Sequence, residues 1–194
     1  QVHARGEPGP TPATYAPTPR QMARLAEADL YFRVGVPFEN SLIPKIRRSI
    51  PGLPITDLRK GIELLHLDED HQDHGGAAAG DLDPHTWVDP MLALQQAETA
   101  RDALIEAAPQ REEEFRHNYG ELEKDLKQLD RKLREILSPY AGRTIYVFHP
   151  AFGYFCRAYN LKQKAIHQGG KEPGARHIAK LIEEVRTDGI GVIF

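Results

Sequence analysis

Three stretches of the chain place imidazoles where a cation could use them. The first is DPHTWVDP, residues 83–90, in which His85 sits in a loop bounded by Pro84 and Pro90, just ahead of a helix start. A metal ligand must be held still with one ring nitrogen open, and a proline-stiffened loop at the head of a helix does both. Asp83 and Asp89 flank it, and either carboxylate could accept the proton on the second ring nitrogen and so fix the tautomer. The second stretch is FHPAFGYF, residues 148–155. Here His149 stands where a strand ends and the chain turns into a helix, the edge at which open α/β sheets bind ligands. The third is HLDEDHQDHGGAAAGDL, residues 66–82, where His66, His71 and His74 alternate with Asp68, Glu69, Asp70 and Asp73. It has no periodicity and reads as a flexible loop, and loose histidine clusters of this kind hold zinc or copper weakly.

Each stretch also has a plainer reading. Asp89 can be only a helix cap, His85 only a loop residue, His149 a core or capping histidine, and the 66–82 loop a solvated connection. His3, His117, His167 and His177 carry little signal, with His117 expected to face solvent. Glu172, next to Pro173, reads as a helix-terminus carboxylate. Other chemistry finds no support: the chain has no Walker-type phosphate loop, no GxSxG and no HExxH. The single cysteine, Cys156, allows no internal disulfide, so a metal site must use histidine, carboxylate and water. Its place on an apolar helix face points to packing rather than reactivity.

The elements that must position these residues can be read in turn. Residues 1–19 form a Pro- and Gly-rich loop that ends in Thr18-Pro19-Arg20-Gln21, a capping box with proline at the first helical position. A helix follows to about residue 28, then a strand over 30–34. Next come a helix over 38–49, with Pro44 near its start or in a break, and an extended segment over 55–58. Asp89-Pro90 opens a helix that runs to about 108. Residues 110–137 give the strongest helical pattern, with Phe115, Tyr119, Leu122, Leu126, Leu129, Leu133 and Ile136 at alternating steps of four and three. Such a helix is roughly 40 Å long, and one narrow face of it is expected to be buried along its length. It could be a strut packed along the rest of the chain or a coiled-coil seam.

Beyond the long helix the pattern becomes β-α-β-α-β. It has strands over 143–148, 164–166 and 190–194, and helices over 151–159 and from Pro173 through Ile178, Leu181, Ile182 and Val185. Alternation of this kind implies a parallel sheet with helical crossovers. The 194 residues suffice for one large domain or two small lobes. A net charge of −3 argues against nucleic acid as a partner. No apolar run is long enough to span a bilayer. The opening at Gln1 shows no leader or lipobox, and a targeting segment is expected to have been removed. The last strand is expected to continue into further sequence beyond Phe194.

Taken together, PTPATYAPTPRQMARLAEADLYF, DPHTWVDP, FHPAFGYFCRAYNL and GGKEPGARHIAKLIEEV resemble the zinc/manganese solute-binding proteins of the TroA/ZnuA type. The four phrases fall in that family's order and spacing over nearly the whole chain. The resemblance implies two α/β lobes with parallel sheets joined by one long rigid helix, and a metal in the cleft between the lobes. In this chain that gives a partial N-terminal lobe at 1–108, a connecting helix at 109–138 and a partial C-terminal lobe at 139–194. It implies His85 and His149 as metal ligands, one from each lobe, and it matches the 66–82 loop to the histidine-rich insertion of zinc-specific members. The chain departs from the pattern at Ala13, where many relatives carry a histidine ligand; a methyl group cannot coordinate a metal. The usual fourth ligand would lie beyond Phe194, and the first β-α unit of the N-terminal lobe before Gln1. A loop histidine (His71 or His74), water or a residue outside the chain would complete the coordination.

The implied function is extracytoplasmic capture of a divalent transition metal, zinc ahead of manganese, by a monomeric, non-catalytic receptor that delivers it to the membrane permease of an ABC importer. Protons compete for imidazole, so binding should weaken as pH falls through about 6.5, the ordinary histidine value. Two other readings compete: a metal-dependent hydrolase using the same histidines, and an adhesin or coiled-coil interaction protein assembled through the long helix.

Overall fold

The computed structural model describes residues 17–67 and 82–165. The expectations for Ala13, His71, His74, the helix from Pro173 and the strand at 190–194 lie outside the described residues.

Local signals set most element boundaries. Thr18 caps α1 (Pro19–Ala26) through a capping box, its side chain accepting from the Gln21 N–H while the Gln21 side chain accepts from the Thr18 N–H. β1 (Tyr31–Arg33) follows, then α2 (Glu39–Ser49) and β2 (Ile55–Asp57). β1 and β2 pair in parallel, Tyr31 against Ile55 and Arg33 against Asp57. Pro44 lies inside α2, which runs through it without a break. Proline removes one intrahelical donor and sterically disfavours the turn before it. Burial of Leu42, Ile43 and Ile46 from the same helix offsets that cost.

Packing divides the chain into two compact units, residues 1–61 with 96–119 and residues 62–95 with 120–194. Within the second unit, the Tyr154 hydroxyl accepts from the Leu65 N–H and donates to the Asp83 carbonyl. The core of the first unit gathers Leu25, Leu42, Ile43, Ile46 and Leu53, with Met22, Tyr31, Phe38, Ile50 and Ile55 against it. The turn after β1 is organised by one buried carboxylate. Glu39 accepts from the Tyr31 hydroxyl and from the backbone N–H groups of Val34 and Gly35. Gly35 has φ +92°, and a Cβ there would fall 2.1 Å from the Arg59 guanidinium. Only glycine meets both conditions. Arg59 and Arg33 share the carboxylate of Asp57. Burial alone would raise the Asp57 pKa, but hydrogen bonds from Arg59 and the charges of both arginines outweigh it and hold the group below its ordinary value.

In the second unit, β3 (Thr144–Val147) and β4 (Lys162–Ala165) pair in parallel, Thr144 against Lys162 and Val147 against Ala165. α5 (Gly153–Ala158) connects them, so β3-α5-β4 is the expected crossover unit. Tyr146, Val147, Tyr154, Cys156, Tyr159 and Ala165 are buried here. The burial of Cys156 agrees with a packing role.

α3 (Pro90–Ala107) and α4 (Glu112–Leu137) supply the helical length. Pro109 starts a short 3-10 turn over Pro109–Arg111, and α4 continues from it. Three glutamates in the first turn and Arg134 in the last suit the helix dipole. Ion pairs such as Arg116–Glu112 and Lys127–Glu123, four residues apart, lace its surface. The expectation of one apolar face buried along α4 needs correction. Leu122, Leu129 and Ile136 are exposed, and the buried residue of the helix is Asp130. Alternating steps of four and three draw two parallel lines, not one. The line through Tyr119, Leu126 and Leu133 is half-buried, while the line seven residues apart through Leu122, Leu129 and Ile136 faces outward. Among the described residues, no helix is long and apolar enough to cross a membrane.

Candidate metal site

Both histidines singled out from the sequence lie in the second unit. β3 delivers His149 two residues after its last strand residue, where the chain leaves the sheet. A tight turn follows, with the Ala151 N–H donating to the His149 carbonyl at 2.7 Å. The Phe152 N–H then donates to the Gln163 side chain on β4, also at 2.7 Å, so the turn is tied to the neighbouring strand before α5 begins.

His85 arrives from a different direction. Ahead of it, His66 forms an antiparallel bridge with Leu82, and the Asp83 N–H donates to the Leu65 carbonyl at 2.8 Å. A 3-10 turn over Thr86–Val88 then separates His85 from α3, and Thr86 within it is fully buried. The two aspartates flanking His85 divide the work the sequence left open between them. Asp89 caps α3, accepting from the Met91 N–H at 2.8 Å and more weakly from Leu92. Asp83 takes His85. Its Oδ1 lies 2.6 Å from His85 Nδ1 and accepts from the His85 backbone N–H at 2.9 Å. The Asp83 side chain is only 4% exposed, so its carboxylate has little water to turn to.

A buried carboxylate against Nδ1 favours the proton there and leaves the lone pair on Nε2. His85 Nε2 lies 3.2 Å from His149 Nε2, across 64 residues of sequence. The two rings meet nearly at right angles, 80° between planes with centroids 5.1 Å apart. Without a cation, an Nε2 proton on His149 can donate to the His85 lone pair. Two nitrogens each 2.0–2.1 Å from a tetrahedral zinc ion stand roughly 3.3 Å apart. The observed separation therefore accommodates one ion bound to both rings in place of the shared proton. Trp87 packs its ring edge-on to His85 at 5.4 Å and remains well exposed.

The other sequence candidates lie elsewhere. His66 is exposed beside Leu82, and His117 is exposed on α4. Among the described residues, no group of three or more His, Cys, Asp or Glu is placed to hold a metal ion. The sequence reading missed the residues behind Asp83. Tyr154 is fully buried; its hydroxyl donates to the Asp83 carbonyl at 2.9 Å and accepts from the Leu65 N–H at 3.0 Å. Gly153 lies directly against the Asp83 carboxylate. The far end of α5 is braced to α4. There Tyr159 donates to the buried Asp130 at 3.1 Å, and Arg134 Nε donates to the same carboxylate at 2.9 Å. Burial, then the hydrogen bond to Asp130 and its charge, push the Tyr159 phenol well above its ordinary value.

Known proteins share this arrangement of sequence. The zinc-binding lipoprotein AdcA of Streptococcus pneumoniae is 28% identical over 194 residues, covering 96% of this chain and 38% of that protein. The iron-binding protein YfeA of Yersinia pestis is 31% identical over 200 residues, covering 100% of this chain and 61% of that protein. Among solved structures, a crystal structure of ZnuA superposes with a TM-score of 0.79 at 32% identity, covering 92% of this chain and 66% of that one. The Zn(II)-bound ZnuA-like domain of Streptococcus pneumoniae AdcA gives 0.75 at 26% identity, covering 94% and 65%. The chain thus spans less than two thirds of the length of these curated relatives. The likeness fixes the fold class expected from the sequence, an α/β TroA-like fold with a long helix. A family model described as zinc-uptake complex component A, periplasmic, matches residues 2–194, and the chain belongs to this ZnuA family.

Proposed function

We propose that this chain is the metal-holding part of an extracytoplasmic receptor that captures zinc between His85 and His149 and delivers it to the permease of an ABC importer. One observation carries the reading: two imidazole nitrogens 3.2 Å apart, one of them oriented by a buried carboxylate. Asp83 orients the His85 ring through Nδ1 and leaves the Nε2 lone pair open to a cation. Capture then uses the bare His85 Nε2 directly, while the neutral His149 ring must carry its proton on Nδ1 to offer its own Nε2. The remaining positions of a four-coordinate ion would be filled by water, by His71 or His74, or by a residue outside this chain. The helix at 109–138 serves as a rigid connector in this scheme, and the receptor acts as a monomer.

Nitrogen ligands suit zinc and also its first-row neighbours. The names of the relatives support zinc first, with one iron-binding member showing that the family is not confined to it. Manganese, a harder ion, is less well served by two imidazoles. The carboxylates beside the histidines support a binding role. Asp83 is engaged by His85, and Asp89 caps α3, so neither is placed to act as a general base on metal-bound water.

Calorimetry of His85→Ala and His149→Ala with zinc tests the proposal. Each substitution should abolish tight binding while the thermal midpoint of the zinc-free protein changes little. Unchanged zinc affinity in either variant would refute it. Competition between zinc and manganese on the parent protein should favour zinc.

A further inference from the structure

Gly153 and Tyr154, the first two residues of α5, both converge on Asp83. The Tyr154 hydroxyl bridges two chain segments, donating to the Asp83 carbonyl at 2.9 Å and accepting from the Leu65 N–H at 3.0 Å. These partners lie 71 and 89 residues away in sequence. They are also paired with each other, since the Asp83 N–H donates to the Leu65 carbonyl at 2.8 Å. One phenol thus ties together the Leu65 and Asp83 segments just ahead of His85. Gly153 completes the seat. A Cβ there would fall 2.8 Å from Asp83 Oδ2 and 3.5 Å from Leu65 Cδ1. The first of these is closer than a carbon and a carboxylate oxygen can approach, so any side chain at 153 must displace the carboxylate.

We infer that Gly153 and Tyr154 are positioning residues that set the orientation and tautomer of the His85 imidazole through Asp83. Tyr154 fixes the Asp83 backbone, and Gly153 leaves room for its side chain to reach His85 Nδ1. Because α5 starts four residues after His149, the element that follows one imidazole also orients the other. The inference rests on the metal reading for its consequence in affinity, but its effect on the ring exists without metal.

The test uses Tyr154→Phe, which removes one hydroxyl and keeps the buried ring, and Gly153→Ala, which keeps both Tyr154 hydrogen bonds and crowds Asp83. Two quantities are read in each: zinc affinity by calorimetry, and the His85 tautomer in the zinc-free protein by long-range proton–nitrogen correlation NMR. The parent should show a single tautomer protonated at Nδ1. Both variants should show a mixed or inverted tautomer and a loss of about tenfold in zinc affinity, at the lower end for partners behind a metal ligand. If both variants keep the Nδ1–H tautomer and the parent affinity, with thermal midpoints lowered equally in the zinc-free and zinc-loaded forms, the residues serve packing alone and the inference is overturned. Should Tyr154→Phe fail to fold, Gly153→Ala decides by the same two readings. Failure of the metal reading would look different: His85→Ala would bind zinc like the parent, while the tautomer of His85 still responded to both α5 variants.

Discussion

Replacing Asp83 by asparagine isolates one physical effect, the charge behind His85. The side chain is nearly isosteric, and the site is 4% exposed, so water cannot take over the lost role. Oδ1 now accepts two N–H donors from His85, the backbone at 2.9 Å and ring Nδ1 at 2.6 Å. Asparagine can keep an acceptor oxygen in that place but not the negative charge. Hydrogen bonds to a charged group contribute about 1.5–3 kcal/mol, and neutral ones about 0.5–1.5. The midpoints differ by about 1.25 kcal/mol, close to the ~1.4 kcal/mol that makes a tenfold change in an equilibrium constant. The amide is also free to present its NH₂ to Nδ1, which would push the ring proton to Nε2 and occupy the lone pair a metal needs. Asp83→Asn should therefore bind zinc about tenfold more weakly by chelator-competition calorimetry, with a smaller change in the zinc-free thermal midpoint. An affinity within twofold of the parent would show that the carboxylate neither strengthens nor orients His85, and the reasoning would fail.

Two further outcomes follow from the same interactions. Asp57 has a folded pKa below its ordinary value of 3.8, so its contribution to stability is fully present above that value and fades as pH falls through the lower folded value. Asp57→Asn should therefore flatten the acid limb of thermal midpoint against pH, and an unchanged limb would mean that the Arg33 and Arg59 pairs do not hold the β1–β2 edge together. Tyr159→Phe removes the phenolic donor to the buried Asp130 and should cost about 1–3 kcal/mol in urea unfolding while leaving zinc affinity unchanged; a loss of affinity would mean that the α4 brace also positions the site.

Local signals carried much of the fold. The helix starts at Thr18-Pro19 and Asp89-Pro90 are decided by side chains within three residues of the backbone donors they satisfy, so a sequence shows them directly. Where the outcome depends on distant partners, the sequence was silent. Asp83 and Asp89 are chemically equivalent flanks of His85, and only the fold decides that one takes the ring and the other the helix. Tyr154 reads as one more aromatic in FGYF because both partners of its hydroxyl are far away in the chain. The stripe on α4 has the period of a helix, but the period does not say which of its two lines a neighbour covers. The convergence of His85 and His149 came from the family resemblance and not from any local pattern.

Anomalous scattering at the zinc edge from zinc-soaked crystals asks the central question directly. One peak should appear, lying 2.0–2.1 Å from Nε2 of both His85 and His149, the ordinary zinc–imidazole distance. A strong peak elsewhere in the chain, with these two rings left bonded only to each other, would contradict the account.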